Sequence, residues 1–268
     1  ESPKYLLLAA EISAAKGALL KRDKFIRQAL ELQPRETEDV IHLTRLLIEK
    51  KDAAKAIELL DEVIAHSVTP TPLLLQKAAI IRGTSGIKEE IKLLVELARK
   101  DPQNPLILAR LSAAYIQTDN LPDAIRAGQY AIKNAGDQLT ATQTARIHYQ
   151  VGVLFHRTGQ LDQAINHLTK AIQIKPGLVE AYLEIAKTLK DRRAYSQAID
   201  YLEKAILIAP DDPRAYLAAG LLHKEGKNYM DAEAMLKKAA ALAPDDANIK
   251  RHLASVIAMA IIHQHETD

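Results

Sequence analysis

The sequence of 268 residues contains no cysteine and no tryptophan, and aromatic residues make up only 4% of it. The absence of cysteine excludes a disulfide framework, a thiolate nucleophile and a thiolate metal site. It is compatible with an oxidising or a reducing compartment, and we expect a soluble protein, with the cytoplasm slightly favoured. No apolar run approaches the ~18 residues that a membrane-spanning helix needs.

An excess of charge of one sign is lacking as well. The 36 lysines and arginines nearly balance the 34 aspartates and glutamates, which leaves a net charge of +2. This balance gives no bulk electrostatic argument for nucleic-acid binding. A helical repeat that binds RNA should also show a dense basic track with interleaved aromatic residues. We therefore expect no nucleic-acid partner.

Recognisable motifs for catalysis or cofactor binding are missing. The segment RGTSGIKEE, which begins at Arg82, lacks the residue order of a phosphate-binding loop and is typical of a turn between helices. His263 and His265 are two residues apart, whereas paired metal ligands on a helix lie three or four apart. His148 and His223 fall on predicted packing faces. The sequence thus predicts no catalytic residue, no cofactor and no metal site.

The chain does contain a sequence repeat, which is clearest in three consecutive copies. The stretches AINHLTKAIQIKPGLVEAYLEIA, AIDYLEKAILIAPDDPRAYLAAG and AEAMLKKAAALAPDDANIKRHLA begin at Ala164, Ala198 and Ala232, each 34 residues after the one before. A fixed period of about 20–50 residues is typical of stacked repeat proteins. The period, anchored on the prolines, predicts that repeats start at Pro3, Thr37, Thr71, Pro105, Ala145, Val179 and Pro213, with a last helix from Ala247.

Each repeat is predicted to form two helices. Positions 4, 7, 8 and 11 lie on one face of the first helix, and positions 20, 24 and 27 lie on one face of the second. Position 8 is small in every repeat and position 20 is usually alanine, which lets the two helices approach closely. A proline at position 32 ends most of the second helices. In the sixth repeat the packing residues are Tyr182, Ile185, Ala186, Leu189, Ala198, Leu202 and Ala205.

This pattern resembles the tetratricopeptide repeat (TPR) family over nearly the whole chain. The resemblance implies an all-α fold, a right-handed α-α superhelix of paired antiparallel helices. We assign residues 3–138 to four degenerate repeats, residues 145–246 to three consensus-like repeats, and residues 247–268 to a terminal capping helix and tail. The early repeats depart from the pattern at Arg22 and Glu90 (position 20), Lys77 (position 7) and Val68 (position 32).

Six extra residues, 139–144 (LTATQT), interrupt the period between the fourth and fifth repeats. Thr140, followed three residues later by Gln143, matches a capping box with Thr140 as the N-cap. We therefore predict that the insertion extends the first helix of the fifth repeat by about a turn and a half. The displaced junction also predicts a division of the array into halves between Gln138 and Leu139.

In the family that this chain resembles, the first helices of successive repeats line a concave groove that holds a peptide or a partner's helix. Positions 2, 5, 9, 12 and 13 should then face the groove. Some relatives bind a partner's C-terminal carboxylate through lysine at position 5 and asparagine at position 9, but the first repeat has Leu7 and Glu11 there. Every other repeat lacks the pair too, so we exclude this clamp. The groove positions of the early repeats, such as Leu7 and Ala79, are small and apolar.

We predict that repeats five to seven carry the binding groove, with an apolar floor and basic walls suited to an acidic, amphipathic segment of a protein partner. Glu180, Glu184, Asp191 and Glu225 offset part of the positive charge. The alternative is that these long side chains only solvate a helix face. The candidate groove residues are Arg146, Tyr149, Val153, Arg157, Leu183, Lys187, Lys190, Arg214, Leu217, Leu221, Lys224 and Arg251.

The expected function is therefore a non-enzymatic scaffold for protein–protein interaction. One alternative is a non-catalytic arm of a larger enzyme or of an assembly or secretion machine. A second, a helical-repeat RNA binder, is disfavoured by the missing basic track and aromatic residues. Val256, Met259, Ile261 and Ile262 make the terminal helix more apolar than a solvent-facing cap needs to be. This favours contact with a downstream domain, or self-association through the terminal helix.

Overall fold

The computed structural model describes residues 2–267 of the protein, with the side chains of residues 2–262. These residues form fifteen α-helices, the predicted number, together with one turn of 3-10 helix at Gly136–Gln138 and no strand. In chain order the helices are α1 (Pro3–Ala15), α2 (Leu19–Glu31), α3 (Thr37–Glu49), α4 (Ala53–Ile64), α5 (Thr71–Ser85), α6 (Ile87–Lys100), α7 (Pro105–Gln117), α8 (Leu121–Lys133), α9 (Ala141–Arg157), α10 (Leu161–Ile174), α11 (Val179–Asp191), α12 (Tyr195–Ile208), α13 (Pro213–Glu225), α14 (Tyr229–Leu242) and α15 (Ala247–Thr267).

The chain forms two compact units, unit 1 (Glu1–Ala127) and unit 2 (Gly128–Asp268), and the boundary between them lies within α8. The sequence predicts a division between Gln138 and Leu139, where the insertion interrupts the repeat pattern. That division stays a prediction. Within each unit, consecutive helices pack as antiparallel pairs, and the main contacts join helices that are one or two places apart in the chain. Each unit is therefore a stack of helix pairs.

The first helices begin where the period predicts, with one exception that was itself predicted. Helix α9 begins at Ala141 and has 17 residues, whereas α7, α11 and α13 have 13 each. The Thr140 hydroxyl accepts a hydrogen bond from the Gln143 backbone N–H at 3.2 Å, and the Gln143 side chain accepts one from the Thr140 N–H at 2.8 Å. The capping box is confirmed, and the extension is about one helical turn.

Side-chain caps begin several of the other first helices. Ser2, Asn104 and Asp212 each accept a hydrogen bond from a backbone N–H of the first turn, as the residue before a proline at the first helical position is expected to do. The residue order Thr71-Pro72 predicts the same role for Thr71, and this prediction is wrong. Helix α5 already includes Thr71, with Pro70 before it, and the Thr71 hydroxyl accepts a hydrogen bond from the Asn104 side chain at 3.0 Å instead.

Small residues stand where paired helices touch. The seven packing residues predicted in the sixth repeat are all buried. A Cβ atom placed on Gly152 would lie 2.6 Å from Leu168 Cγ, and one placed on Gly220 would lie 2.7 Å from Leu236 Cγ. These distances are far below van der Waals contact, so position 8 sets how closely the two helices of a repeat approach.

The first repeat differs from the prediction at Leu7, which was placed in the groove but is fully buried. Helix α1 contacts both α2 and α3, so two of its faces are covered, and Leu6 and Leu7 both point into the core of unit 1. A different departure is accommodated at Lys77 in the third repeat. Its ammonium group lies 2.5 Å from the Asp61 carboxylate, so the charged side chain has an ion-pair partner.

Glu90 occupies position 20 of the third repeat, where most repeats have alanine, and its side chain is fully buried. Its Oε1 atom accepts a hydrogen bond from Nε of Arg110 at 2.6 Å and lies 2.6 Å from Nη2 of the same guanidinium group, and its Oε2 atom lies 3.7 Å from Arg82 Nη1. Arg82 lies on α5, Glu90 on α6 and Arg110 on α7. One buried carboxylate thus links three consecutive helices of unit 1.

Candidate functional site

The twelve candidate groove residues lie on four first helices of unit 2, α9, α11, α13 and α15, and none of them is buried. We call this surface the first-helix face of unit 2. Its apolar members are half-buried, because their inner atoms pack against the core while their outer atoms remain open. These apolar members are Tyr149, Val153, Leu183, Leu217 and Leu221.

Polar side chains join neighbouring first helices across this face. His156 at the end of α9 contacts two carboxylates of α11, with Nδ1 2.7 Å from Glu184 Oε1 and Nε2 2.7 Å from Asp191 Oδ2. Lys190 of α11 pairs with Glu225 of α13 at 2.7 Å. Each pair links adjacent repeats, so the spacing between these first helices is held by side chains of the face itself.

The C-terminal part of the face has similar contacts. The Lys224 ammonium group of α13 donates a hydrogen bond to the Ser255 hydroxyl of α15 at 3.0 Å. Lys190, Leu221, Lys224 and Met259 contribute to the lining of a cavity of about 510 Å³ at this place. A side chain of a bound segment has room to enter there.

Three of the seven cations of the face, Lys187, Lys190 and Arg214, are paired with carboxylates. Lys187 lies 3.3 Å from Glu184, and Arg214 lies 2.6 Å from Asp212 and 3.7 Å from Glu180. Arg146 and Arg251 are exposed and make no ion pair with any side chain that the structure describes. The face is thus less basic than its cation count suggests, because the carboxylates that the sequence placed nearby are in direct contact.

These contacts change the acidity of two groups. Burial, together with the nearby Glu184 and Glu180 carboxylates, raises the pKa of Tyr149, so its hydroxyl stays protonated as a hydrogen-bond donor. The hydrogen bonds that Arg214 donates lower the pKa of Asp212, which stabilises the charged form of this N-cap.

The helix pairs, with small residues where the helices touch, are also typical of a known repeat family. The family model of the tetratricopeptide repeat matches residues 156–222 and, in a second overlapping match, residues 189–256. Residues 156–256 belong to the TPR family. The matched segments lie entirely in unit 2, where the TPR pattern is most regular, and no enzyme family is among the matches.

Solved structures of other proteins share this fold. MamA is 23% identical, with a TM-score of 0.58 over 64% of this chain and 96% of its own. YrrB, a TPR protein with an unusual peptide-binding site, is 16% identical, with a TM-score of 0.62 over 75% of this chain and 100% of its own. The C-terminal part of a TPR protein from Cytophaga hutchinsonii is 16% identical, with a TM-score of 0.66 over 92% of this chain and 99% of its own. No curated protein sequence matches this chain significantly.

Among the residues that the structure describes, no group of three or more His, Asp or Glu side chains could hold a metal ion. The side chains of His263 and His265 lie outside that part. None of the described helices is long and apolar enough to cross a membrane.

His223, the other histidine on a predicted packing face, lies on α13 with its Nδ1 atom 3.9 Å from an Asp231 oxygen.

The core of the fifth TPR contains a histidine pair. His148 is buried, and its Nδ1 atom lies 3.1 Å from Nδ1 of His167. One ring donates this hydrogen bond and the other accepts it, so the accepting ring is neutral. Burial, with smaller effects of His167 and Lys170, lowers the pKa of His148 to about 4, and burial also lowers the pKa of His167. The pair is a packing contact, as position 4 predicts for His148.

This pair should make unit 2 sensitive to acid. An unfolded histidine has a pKa of about 6.5, so between pH 6.5 and 4 the unfolded state binds more protons and the free energy of unfolding falls as the pH falls. The equivalent residues of the sixth TPR are Tyr182 and Tyr201, whose ring centroids are 6.3 Å apart. We expect the variant His148→Tyr with His167→Tyr to lose less stability over this window, by on the order of 2 kcal/mol.

Urea unfolding at pH 7, 5.5 and 4.5 measures this difference, followed by circular dichroism. The comparison of wild type with variant at each pH cancels the contribution of all other titrating groups. If the two stability curves run parallel from pH 7 to 4.5, the histidine pair does not cause the acid sensitivity.

Proposed function

We propose that the first-helix face of unit 2 binds a peptide or helical segment of another protein, and that the protein is a non-catalytic interaction scaffold. The observation that carries this proposal is a row of half-buried apolar side chains on an open face whose helices are already joined by polar side-chain contacts. Such a surface loses little conformational entropy on binding, because it is ordered beforehand. YrrB, which shares the fold, is a TPR protein with a peptide-binding site.

The segment that fits best is amphipathic with acidic flanks. Its apolar side chains would contact Leu183, Leu217 and Leu221 and supply most of the affinity. Arg146 and Arg251 are open to its carboxylates, whereas Lys187 and Lys190 would have to exchange their present acidic partners for those of the ligand. Charge therefore sets selectivity and association rate more than affinity.

A photo-crosslinking amino acid tests the location. Placed at Lys187 on the first-helix face, it should capture specific proteins from native extract. Placed at Leu207 on α12, where the side chain is 84% exposed, it should not. Equal capture at both places, or capture only at Leu207, would mean that the binding surface is elsewhere.

Affinity for a partner captured in this way tests the charge. Arg157→Glu with Lys187→Glu should weaken binding by roughly three- to tenfold, because exposed ion pairs contribute about 0.2–1 kcal/mol each. The loss should shrink with added salt, which screens exposed charges. Lys175→Glu with Lys238→Glu makes the same charge change at other exposed sites of unit 2 and should leave affinity unchanged. Undiminished affinity in the first variant contradicts the assignment.

A second candidate function rests on α15. Met259, Ile261 and Ile262 are 38%, 52% and 56% exposed, whereas Val256 is fully buried against Ala232 and Leu236. The inner side of α15 is thus part of the core, and three large apolar residues remain on its outer side. This surface favours a protein that is an arm of a larger assembly, docked or self-associated through α15.

A further inference from the structure

A second open site lies in unit 1, between α3 and α5. The structure has a cavity of about 430 Å³ there, lined by Arg45, Ile48, Lys51, Ala79 and Gly83 among others. Cavities of roughly 300–1,000 Å³ are typical of ligand sites. This one opens on the first-helix side of the second and third repeats, because Arg45 and Ala79 both occupy repeat position 9.

The third repeat has small side chains at the cavity where the fifth to seventh repeats have longer ones. Ala79 stands at position 9 and Gly83 at position 13 of α5. A Cβ atom placed on Gly83 would have no heavy atom within 4 Å, so the space beside it is empty. The residues at the same two positions of the fifth, sixth and seventh repeats are Val153, Lys187, Leu221, Arg157, Asp191 and Glu225.

The charge around this cavity is of one sign. Its lining includes two cations, Arg45 and Lys51, and no aspartate or glutamate. Neither cation makes an ion pair or a side-chain hydrogen bond with any side chain that the structure describes. This differs from unit 2, where Lys187 and Lys190 are paired with acids of the same face. Arg45 and Lys51 are therefore available to an external carboxylate.

We propose that this cavity binds an acidic segment of another protein, with one apolar side chain seated against Ile48, Ala79 and Gly83 and flanking carboxylates on Arg45 and Lys51. The cavity has room for an apolar side chain, and the unpaired cations at its edge supply the charge complementarity. The lining contains no aromatic residue, so a nucleic-acid base would find no stacking surface there. The site is separate from the first-helix face of unit 2 and does not depend on the function proposed for it.

The probe is a blocked peptide, acetyl-GEELEEG-amide, titrated into the isotope-labelled full chain and followed by amide chemical shifts. We expect saturable shifts at Ala53, Ala79, Gly83 and Thr84. The peptides GEEGEEG, which lacks the apolar side chain, and GKKLKKG, which reverses the charges, should bind about tenfold more weakly or not at all. Absence of saturable shifts with GEELEEG up to several millimolar, or equal binding of either control peptide, overturns the proposal.

Two variants test the two parts of the site separately. Arg45→Glu with Lys51→Asn removes the cations, and asparagine tolerates the positive φ of 64° at position 51. Gly83→Leu fills the cavity and should not disturb folding, since the space is empty and glycine is unfavourable inside a helix. Each should weaken GEELEEG binding about tenfold, a difference of 1.4 kcal/mol.

The matched control for charge is Arg99→Glu with Lys88→Asn on α6, two exposed positions of unit 1 with the same net change. It should leave binding of GEELEEG unchanged. A loss of binding in this control equal to that in the Arg45 and Lys51 variant means that only net charge matters, and the cavity is then not the site. Unchanged binding in Gly83→Leu also overturns the proposal.

Discussion

Replacing Arg110 by alanine is expected to lower the free energy of unfolding of unit 1 by about 3–5 kcal/mol. The change removes the hydrogen bond and the ion pair, both at 2.6 Å, that Arg110 makes with the fully buried Glu90 carboxylate, and it leaves Arg82, 3.7 Å away, as the nearest remaining cation. A buried carboxylate without its partner keeps the full cost of leaving water. Urea unfolding followed by circular dichroism measures the loss as a shift of the unfolding transition that belongs to unit 1.

Two controls separate this effect from the loss of any arginine. Arg126→Ala breaks the ion pair between Arg126 and Asp123. The Arg126 side chain is 68% exposed, so the loss should cost less than about 1 kcal/mol. The double variant Arg110→Ala with Glu90→Ala restores the alanine found at position 20 of most repeats, so it should recover most of the lost stability. A double variant as unstable as Arg110→Ala alone would show that the buried carboxylate is not the cause.

The substitution Gly220→Leu is expected to destabilise unit 2 by about 1–3 kcal/mol through overpacking. Even the first added atom, the Cβ, would lie 2.7 Å from Leu236 Cγ and 3.2 Å from the backbone oxygen of Ala232. The side chain of Leu236 can rotate, but the backbone oxygen can move only if α13 and α14 separate. The temperature of the unfolding transition that belongs to unit 2 should fall accordingly.

Gly83→Leu is the matched control, because it makes the same change inside a helix where no heavy atom lies within 4 Å of the new Cβ. It should leave stability unchanged or raise it slightly. Gly220→Ala should cost less than Gly220→Leu, because alanine stands at the same position in the sixth repeat as Ala186 and packs there against the core. Thermal unfolding of Gly220→Leu that matches wild type would mean that the two helices do not meet at Gly220.

The fold could be predicted in detail because its signals are local and repeated. A proline with an acceptor before it begins a helix by satisfying free N–H groups, and this holds at Ser2, Asn104 and Asp212. Leu7 was misplaced, because its burial depends on α3 covering a second face of α1, and a repeat position does not record which neighbours a helix has. Thr71 was misplaced because α5 begins one residue earlier than Pro72 indicates, so Thr71 is already helical and its hydroxyl accepts a hydrogen bond from Asn104 instead.

The candidate site could be predicted as a set of positions but not as a set of contacts. Helical spacing places Tyr149, Leu183 and Leu221 on the open face, and the structure has them half-buried there. Which lysine meets which carboxylate depends on the distance between neighbouring helices and on side-chain rotamers, so the pair of Lys190 with Glu225 was not foreseen. The cavity beside Gly83 did have a sequence signal, the small residues at positions 9 and 13 of one repeat.

The short reach of the helix contacts has a consequence for how the chain folds. Because the main contacts within each unit join helices one or two places apart, nearly all of them close loops of a few tens of residues. Contact order is then low, and the entropy lost in forming each contact is small. A helix pair can therefore form early at any point along the chain and extend to its neighbours, without waiting for distant segments to meet.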